Sequence, residues 1–173
     1  RDMSEARQRA EAAQTRAANP GISAWVGASA GSGKTKLLTD RLLRLLLAGT
    51  PPGRILCLTF TKAAAAEMSA RLFKRLGEWA LLDDAELAKA LAEIDAQGGK
   101  AEALRRARTL FAKALETPGG LKIQTIHAFC QMLLSRFPVE ADIPPRFTVL
   151  DEREAGELLE DARRRVLERA VSG

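Results

Sequence analysis

The run Ala28-Ser29-Ala30-Gly31-Ser32-Gly33-Lys34-Thr35 constrains this chain more than any other, because of what stands on either side of it. Before it, Ile22-Ser23-Ala24-Trp25-Val26 has the composition of a short buried strand. After it, Leu37, Leu38, Leu42, Leu45 and Leu46 recur at helical spacing until Gly49 offers a stop. A glycine-bearing loop that joins a strand to a helix is built to take phosphate. Gly31 and Gly33 let the backbone pass close to phosphate oxygens, and the first-turn N–H groups and the helix dipole favour an anion. Lys34 reaches the β- and γ-phosphates, and the Thr35 hydroxyl can ligate Mg²⁺. Ala28 stands where the usual pattern, G-x-x-x-x-G-K-[ST], has its first glycine. The plain alternative is a flexible loop with a solvated lysine, and the placement between strand and helix argues against it. The candidate nucleotide-contacting residues are therefore Ala28, Ser29, Ala30, Gly31, Ser32, Gly33, Lys34, Thr35 and Lys36, with Lys34 and Thr35 as the catalytic pair.

At 173 residues the chain suffices for one α/β domain with an appendage and is too short for two domains of ordinary size. No apolar run is long enough to span a membrane and no segment has the pattern of a secretory signal peptide, so a cytoplasmic protein without a membrane partner is expected. The net charge of +5 permits contact with a polyanion, but most of the charge lies on mixed-sign helical sequence whose ordinary role is a solvated face. Cys57 and Cys130 both sit in apolar sequence and are expected to be buried free thiols. His127 and Cys130 have helical spacing, but two ligands and a distant cysteine do not make a metal site.

Residues 1–18 read as a polar, alanine-rich helix closed by Asn19-Pro20-Gly21. Pro51-Pro52-Gly53 separates the leucine-rich helix from a second buried strand, Ile55 to Phe60, and Ala63 to about Ala80 reads as a helix. Glu78 to Glu116 is proline-free, broken near Gln97-Gly98-Gly99, and reads as two or more surface helices interrupting the sheet. Leu121 to Thr125 reads as a third strand, Ala128 to Phe137 as a helix, Phe147 to Leu150 as an extended run, and Glu152 to Ala170 as a charged amphipathic helix. Strand and helix alternate, which predicts an α/β fold with a parallel sheet and helical crossovers.

Two strand ends narrow the family. Thr59-Phe60-Thr61-Lys62-Ala63-Ala64-Ala65-Ala66-Glu67-Met68 resembles motif Ia of the superfamily 1 helicases of the UvrD/Rep kind, with Lys62-Ala63 where many members have Asn-Lys. Ile123-Gln124-Thr125-Ile126-His127-Ala128-Phe129 resembles their motif Ib. Gln14 is similar to the glutamine with which they read adenine, and Phe147-Thr148-Val149-Leu150-Asp151 to the segment by which they enter their helical 1B subdomain. Within that family the sequence most resembles the A subunits of AddAB-type helicase–nucleases. The resemblance implies a RecA-like P-loop NTPase motor domain, 1A, over residues 1–150 with a helical insertion at about 78–117, followed by the start of 1B at 151–173. It implies ATP and Mg²⁺, 3′-to-5′ movement on single-stranded DNA within double-strand-break repair, and a nuclease B subunit as heterodimer partner. Thr59, Thr61 and Thr125 would then give hydroxyl hydrogen bonds to DNA phosphates, Phe60 would stack on a base, and His127 would contact the backbone or a sugar.

Asp151-Glu152 after an apolar run imitates an acidic strand end that holds Mg²⁺, but Arg153-Glu154 does not continue as the Asp-Glu-x-Gln of the family's hydrolysis motif. Two other classes remain open from the residues alone. A small P-loop phosphotransferase would need an arginine-bearing lid, which Arg105, Arg106 and Arg108 could imitate. A non-catalytic DNA-binding or assembly module could retain the loop without turnover.

Overall fold

The computed structural model of the chain describes residues 2–27, 33–94 and 100–172. The chain divides into two compact units, residues 1–129 and 130–173.

The first unit is an α/β arrangement rich in helix. Helix α1 (Asp2–Ala17) is followed by a turn and a segment without regular structure as far as Gly27; α2 (Lys34–Leu47) comes next among the described elements, and its Leu37, Leu42, Leu43, Leu46 and Leu47 form its buried stripe. Gly49 ends α2 at φ 94°, a left-handed turn that lets the Gly49 and Thr50 N–H groups bond back to Leu46 and Leu45. A short 3₁₀ turn (Pro52–Arg54) leads into β1 (Leu56–Thr59), then α3 (Lys62–Leu81), α4 (Asp84–Ala92), α5 (Ala101–Glu116) and β2 (Lys122–Thr125). Side chains cap the helices: the Ala64 N–H donates to Thr61 Oγ1 at 3.1 Å and the Glu86 N–H to Asp83 Oδ1 at 2.8 Å. Strands β1 and β2 are parallel neighbours with Thr59 opposite Thr125, as the strand–helix alternation predicts.

The core of this unit lies between α2, α3, α4 and α5. Trp79, Leu43, Leu46, Leu72, Leu76, Leu87 and Leu91 are fully buried, and Phe73 meets Phe111 edge-on at 6.3 Å between ring centroids. This corrects the expectation that residues 78–116 are surface helices interrupting the sheet. Leu87, Leu91 and Ile94 from the α4 region, with Ala107, Leu110 and Ala114 from α5, belong to the same buried cluster as Trp79. Their charged residues face outward, and a narrow stripe of leucine and alanine suffices to bury one side.

Two strand expectations also need correction. Residues 22–26 enter no ladder, and Ile22, Trp25 and Val26 are all exposed, Trp25 at 98%. A strand is completed by its neighbour, and among the described residues only β1 and β2 pair. Strand β1 is not buried on both faces either, since Leu56 and Leu58 are exposed while Ile55 is buried and Cys57 half-buried. Of the two cysteines expected to be buried, Cys130 is exposed. Desolvation pushes the Cys57 thiol above its ordinary pKa.

Helix α6 (Ile126–Arg136) begins in the first unit, where the Ala128 N–H donates to Thr125 Oγ1 at 3.1 Å, and continues into the second. There a chain of turns, with Asp142 and Arg146 at positive φ, leads to α7 (Glu152–Ser172). The run Phe147 to Leu150 forms no ladder. The start of α7 is a capping box: the Glu154 N–H donates to Asp151 Oδ1 at 2.8 Å and the Asp151 N–H to Glu154 Oε2 at 3.0 Å. Asp151 thus serves as a helix cap. Among the described residues no helix is long and apolar enough to cross a membrane.

Candidate functional site

A cavity of about 510 Å³ opens where the last turns of α1, the segment after it and the start of α2 converge. That size suits a nucleotide-scale ligand. Gln14 and Ala17 line it from α1, Trp25, Val26 and Gly27 from the segment, and Gly33, Lys34 and Leu37 from α2. Two residues twenty positions apart in sequence, Gln14 and Lys34, thereby face one space. Gly33 stands at φ 85°, which a residue with a Cβ rarely adopts, and a Cβ placed there would lie 3.5 Å from Gln14 Nε2. As N-cap it brings no side chain to the first turn of α2, so the N–H groups there suit an anion.

Ala28, Ser29, Ala30, Gly31 and Ser32 lie outside the described residues. Thr35 is half-buried, and its carbonyl accepts a hydrogen bond from the Thr39 hydroxyl at 2.9 Å. Lys36 does not line the cavity. Its ammonium is 2.8 Å from Asp40, in a separate shallow groove with Arg71 and Lys74.

The second group of residues gathers at the carboxyl ends of β1 and β2. Thr59 and Thr125 are register partners, Phe60 follows β1 and is 87% exposed, and His127, the second residue of α6, is exposed. The three threonines are not equivalent. Thr61 and Thr125 accept from the backbone N–H groups of Ala64 and Ala128, as caps of α3 and α6; the exposed Thr61 keeps its own hydroxyl proton to donate outward, whereas Thr125 is buried. Thr59 gives its proton to the Thr61 carbonyl at 3.0 Å and fixes the turn after β1 instead. The N-termini of α3 and α6 follow directly from the two paired strands, and parallel strands collect ligands at this end.

The arginines that could imitate a phosphotransferase lid are engaged structurally. Arg105 pairs with Glu102 at 2.8 Å, Arg108 with Asp84 at 2.6 Å, and Arg106 donates to the Leu47 carbonyl at 2.6 Å at the end of α2. The hydrogen bond and charge of Arg105, with Arg106 adding to them, hold the Glu102 carboxyl below its usual pKa. Among the described residues no cluster of three or more histidine, cysteine or carboxylate groups could hold a metal ion.

Sequence reasoning missed Arg41 and Arg44. Arg41 donates to the carbonyls of Ala17 at 2.8 Å, Asn19 at 2.6 Å and Ile22 at 2.6 Å, and Arg44 to that of Thr15 at 3.0 Å. The available signal was two arginines among the leucines of α2, in a helix whose single carboxylate, Asp40, they must share with Lys36.

A phosphate-type helix start, an amide facing it across one cavity, and a threonine-edged pair of parallel strands agree with the motif order read from the sequence. The UvrD/REP helicase N-terminal domain matches residues 9–171, and the chain belongs to that family. It is similar to the A subunit of the ATP-dependent helicase/nuclease of Lactobacillus gasseri, 33% identical over 145 residues covering 83% of this chain and 10% of that protein. The protein of the same name from Lactiplantibacillus plantarum is 31% identical over 159 residues, 92% of this chain and 12% of that protein. That from Bacillus pumilus is 37% identical over 139 residues, 79% of this chain and 9% of that protein. The chain spans about a tenth of the length of these relatives.

Proposed function

We propose that this chain is the N-terminal, ATP-binding part of an ATP-dependent 3′-to-5′ DNA helicase, the A subunit of a helicase–nuclease acting in double-strand-break repair with a nuclease B subunit. The observation that carries this reading is the shared cavity of Gln14, Gly33 and Lys34, with the Thr61, Phe60, Thr125 and His127 edge on the same unit. In this reading residues 1–150 are the RecA-like motor domain 1A, with its insertion at 78–117, and 151–173 begin 1B, in a protein working in the cytoplasm. Ala28 to Thr35 would contact the nucleotide, Lys34 would neutralise β/γ-phosphate charge, and the Thr35 hydroxyl would hold Mg²⁺, which would supply charge shielding to the phosphates; Lys36, predicted from the sequence as a further contact, faces Asp40 instead. The phosphotransferase alternative loses its lid, because Arg105, Arg106 and Arg108 are bound to local partners.

The base is read by Gln14, whose amide both donates and accepts and so matches the adenine edge. Gln14→Ala in the parent protein is expected to lower the ratio of ATP to GTP turnover more than it weakens binding of inorganic triphosphate. Steady-state kinetics with both nucleotides checks this, and equal use of ATP and GTP by the unaltered protein refutes it.

For DNA, the exposed Phe60 ring offers a stacking platform next in sequence to the exposed hydroxyl of Thr61. Phe60→Ala should weaken single-strand binding by about tenfold with little dependence on base identity, since stacking is worth about 1–3 kcal/mol per base. Fluorescence anisotropy with homopolymeric strands on the parent protein measures it, and an unchanged affinity removes Phe60 from the track.

A further inference from the structure

Helix α1 carries Gln14, which faces the start of α2, yet the described side chains of its second half are mostly exposed. From Gln8 to Ala17 every side chain is exposed except Gln14 and Ala17, which are half-buried. What ties its end to α2 is hydrogen bonding. The last four carbonyls of a helix have no partner within it. Here Gln14 O takes the Ala18 N–H and Arg16 O the Asn19 N–H, while Thr15 O takes Arg44 and Ala17 O takes Arg41. Arg41 goes further and also binds the carbonyls of Asn19 and Ile22, so one guanidinium gathers the helix end, the turn and the start of the segment after it. Both cations also lie at the negative end of the α1 dipole.

We infer that Arg41 is a positioning residue for base selection: it locks the last turn of α1, and with it the Gln14 amide, onto the helix that begins with Lys34 and Thr35. Arg41 does not line the nucleotide cavity, so it acts through Gln14 and touches no ligand itself. The fixed fork of the guanidinium is what the task needs, because three carbonyls from three different residues are reached at 2.6–2.8 Å in separate directions. A lysine ammonium keeps the charge and lacks that planar fork. The tolerance is small, since Gln14 Nε2 lies 3.5 Å from the position of a Cβ on Gly33. A shift of α1 therefore moves the base reader relative to Gly33 and Lys34 at the start of α2.

This inference rests on the reading of Gln14 as the adenine contact, and the experiment separates the two. Full-length parent protein is prepared unaltered and as Arg41→Lys, Arg41→Ala, Gln14→Ala and Gln14→Ala/Arg41→Lys, and kcat and KM are measured for ATP and GTP with single-stranded DNA present. Arg41→Lys is expected to raise KM for ATP about tenfold, leave kcat within about twofold, and change KM for GTP little, so that base preference falls. In the Gln14→Ala background the same substitution should cause no further loss of preference, which a general loss of stability would not reproduce. If Arg41→Ala melts below assay temperature, Arg41→Lys alone carries the test. An unaltered protein without ATP preference overturns the Gln14 reading and this inference together. ATP preference that survives in Arg41→Lys, an equal rise in KM for both nucleotides, or an additive loss in the double variant overturns the positioning role alone.

Discussion

Lys34→Ala in the parent protein is expected to lower ATP turnover at saturating nucleotide by about a hundredfold or more, because the ammonium stabilises charge that develops on the transferring phosphate. The fold should not suffer. Lys34 is the first residue of α2 and is exposed, so no packing is lost on truncation. A cation at the positive end of a helix dipole is unfavourable by about 0.3–1 kcal/mol, and alanine has the higher helix propensity. The nucleotide-free variant should therefore melt at the same temperature as the unaltered protein or slightly above it, and the stabilisation conferred by ATP should shrink. Steady-state ATPase assays and thermal melts with and without nucleotide check both halves. Near-normal turnover would sink the assignment of the loop, and a lower melting temperature without nucleotide would show that Lys34 supports the fold.

A lysine placed against the helix dipole at the mouth of a cavity departs from what stabilises an isolated helix. The same holds at Gly33, whose left-handed backbone leaves the first turn without a capping side chain. These departures from what stabilises an isolated helix were visible in the sequence because they follow from residue type and position along one element.

Features that depend on one segment alone were legible in the same way. The span of α3 follows from intrinsic propensity and that of α7 from helical spacing, and the parallel pairing of β1 with β2 from the alternation of strand and helix; the caps Thr61 and Asp151 appeared only in the structure. The exposure of Phe60 was not legible in this way: composition places it at the end of a buried strand, and only the resemblance to motif Ia made it a stacking residue. Features that depend on a distant partner were not legible either. Residues 22–26 have strand composition, but no described residue supplies their ladder. The bonds of Arg41 to carbonyls 19 to 24 residues away leave no mark in composition, because a carbonyl has no residue type. The burial of α4 and α5 was hidden by their charges. Glu102, Arg105 and Arg108 make the segment read as solvated, while the stripe formed by Ala107, Leu110 and Ala114 needs α3 opposite it before its meaning appears.

That hidden stripe gives the largest effect on stability. Leu91→Ala, in α4, removes a side chain with no solvent exposure from the cluster that contains Trp79, Leu72 and Leu76, and should cost about 2–5 kcal/mol, since the methylene groups lost leave a cavity their neighbours only partly fill. For a chain of this size, that corresponds to a fall in melting temperature of about 2–4 °C per kcal/mol. Leu81→Ala is the matched control. It makes the same chemical change at the end of α3, on a side chain 88% exposed, and should fall within about 0.5 kcal/mol of the unaltered protein. The emission of Trp79, which is fully buried, reports loss of the core when Trp25, which is 98% exposed, is replaced by phenylalanine in every protein compared. Urea unfolding of the three proteins then decides whether residues 84–116 are part of the core or an addition to it. Equal midpoints for Leu91→Ala and Leu81→Ala would return α4 to the surface. A large difference would mean that α4 and α5, through Leu43 and Leu46 on α2 and the bond from Arg106 to the Leu47 carbonyl, help to hold α2 in place.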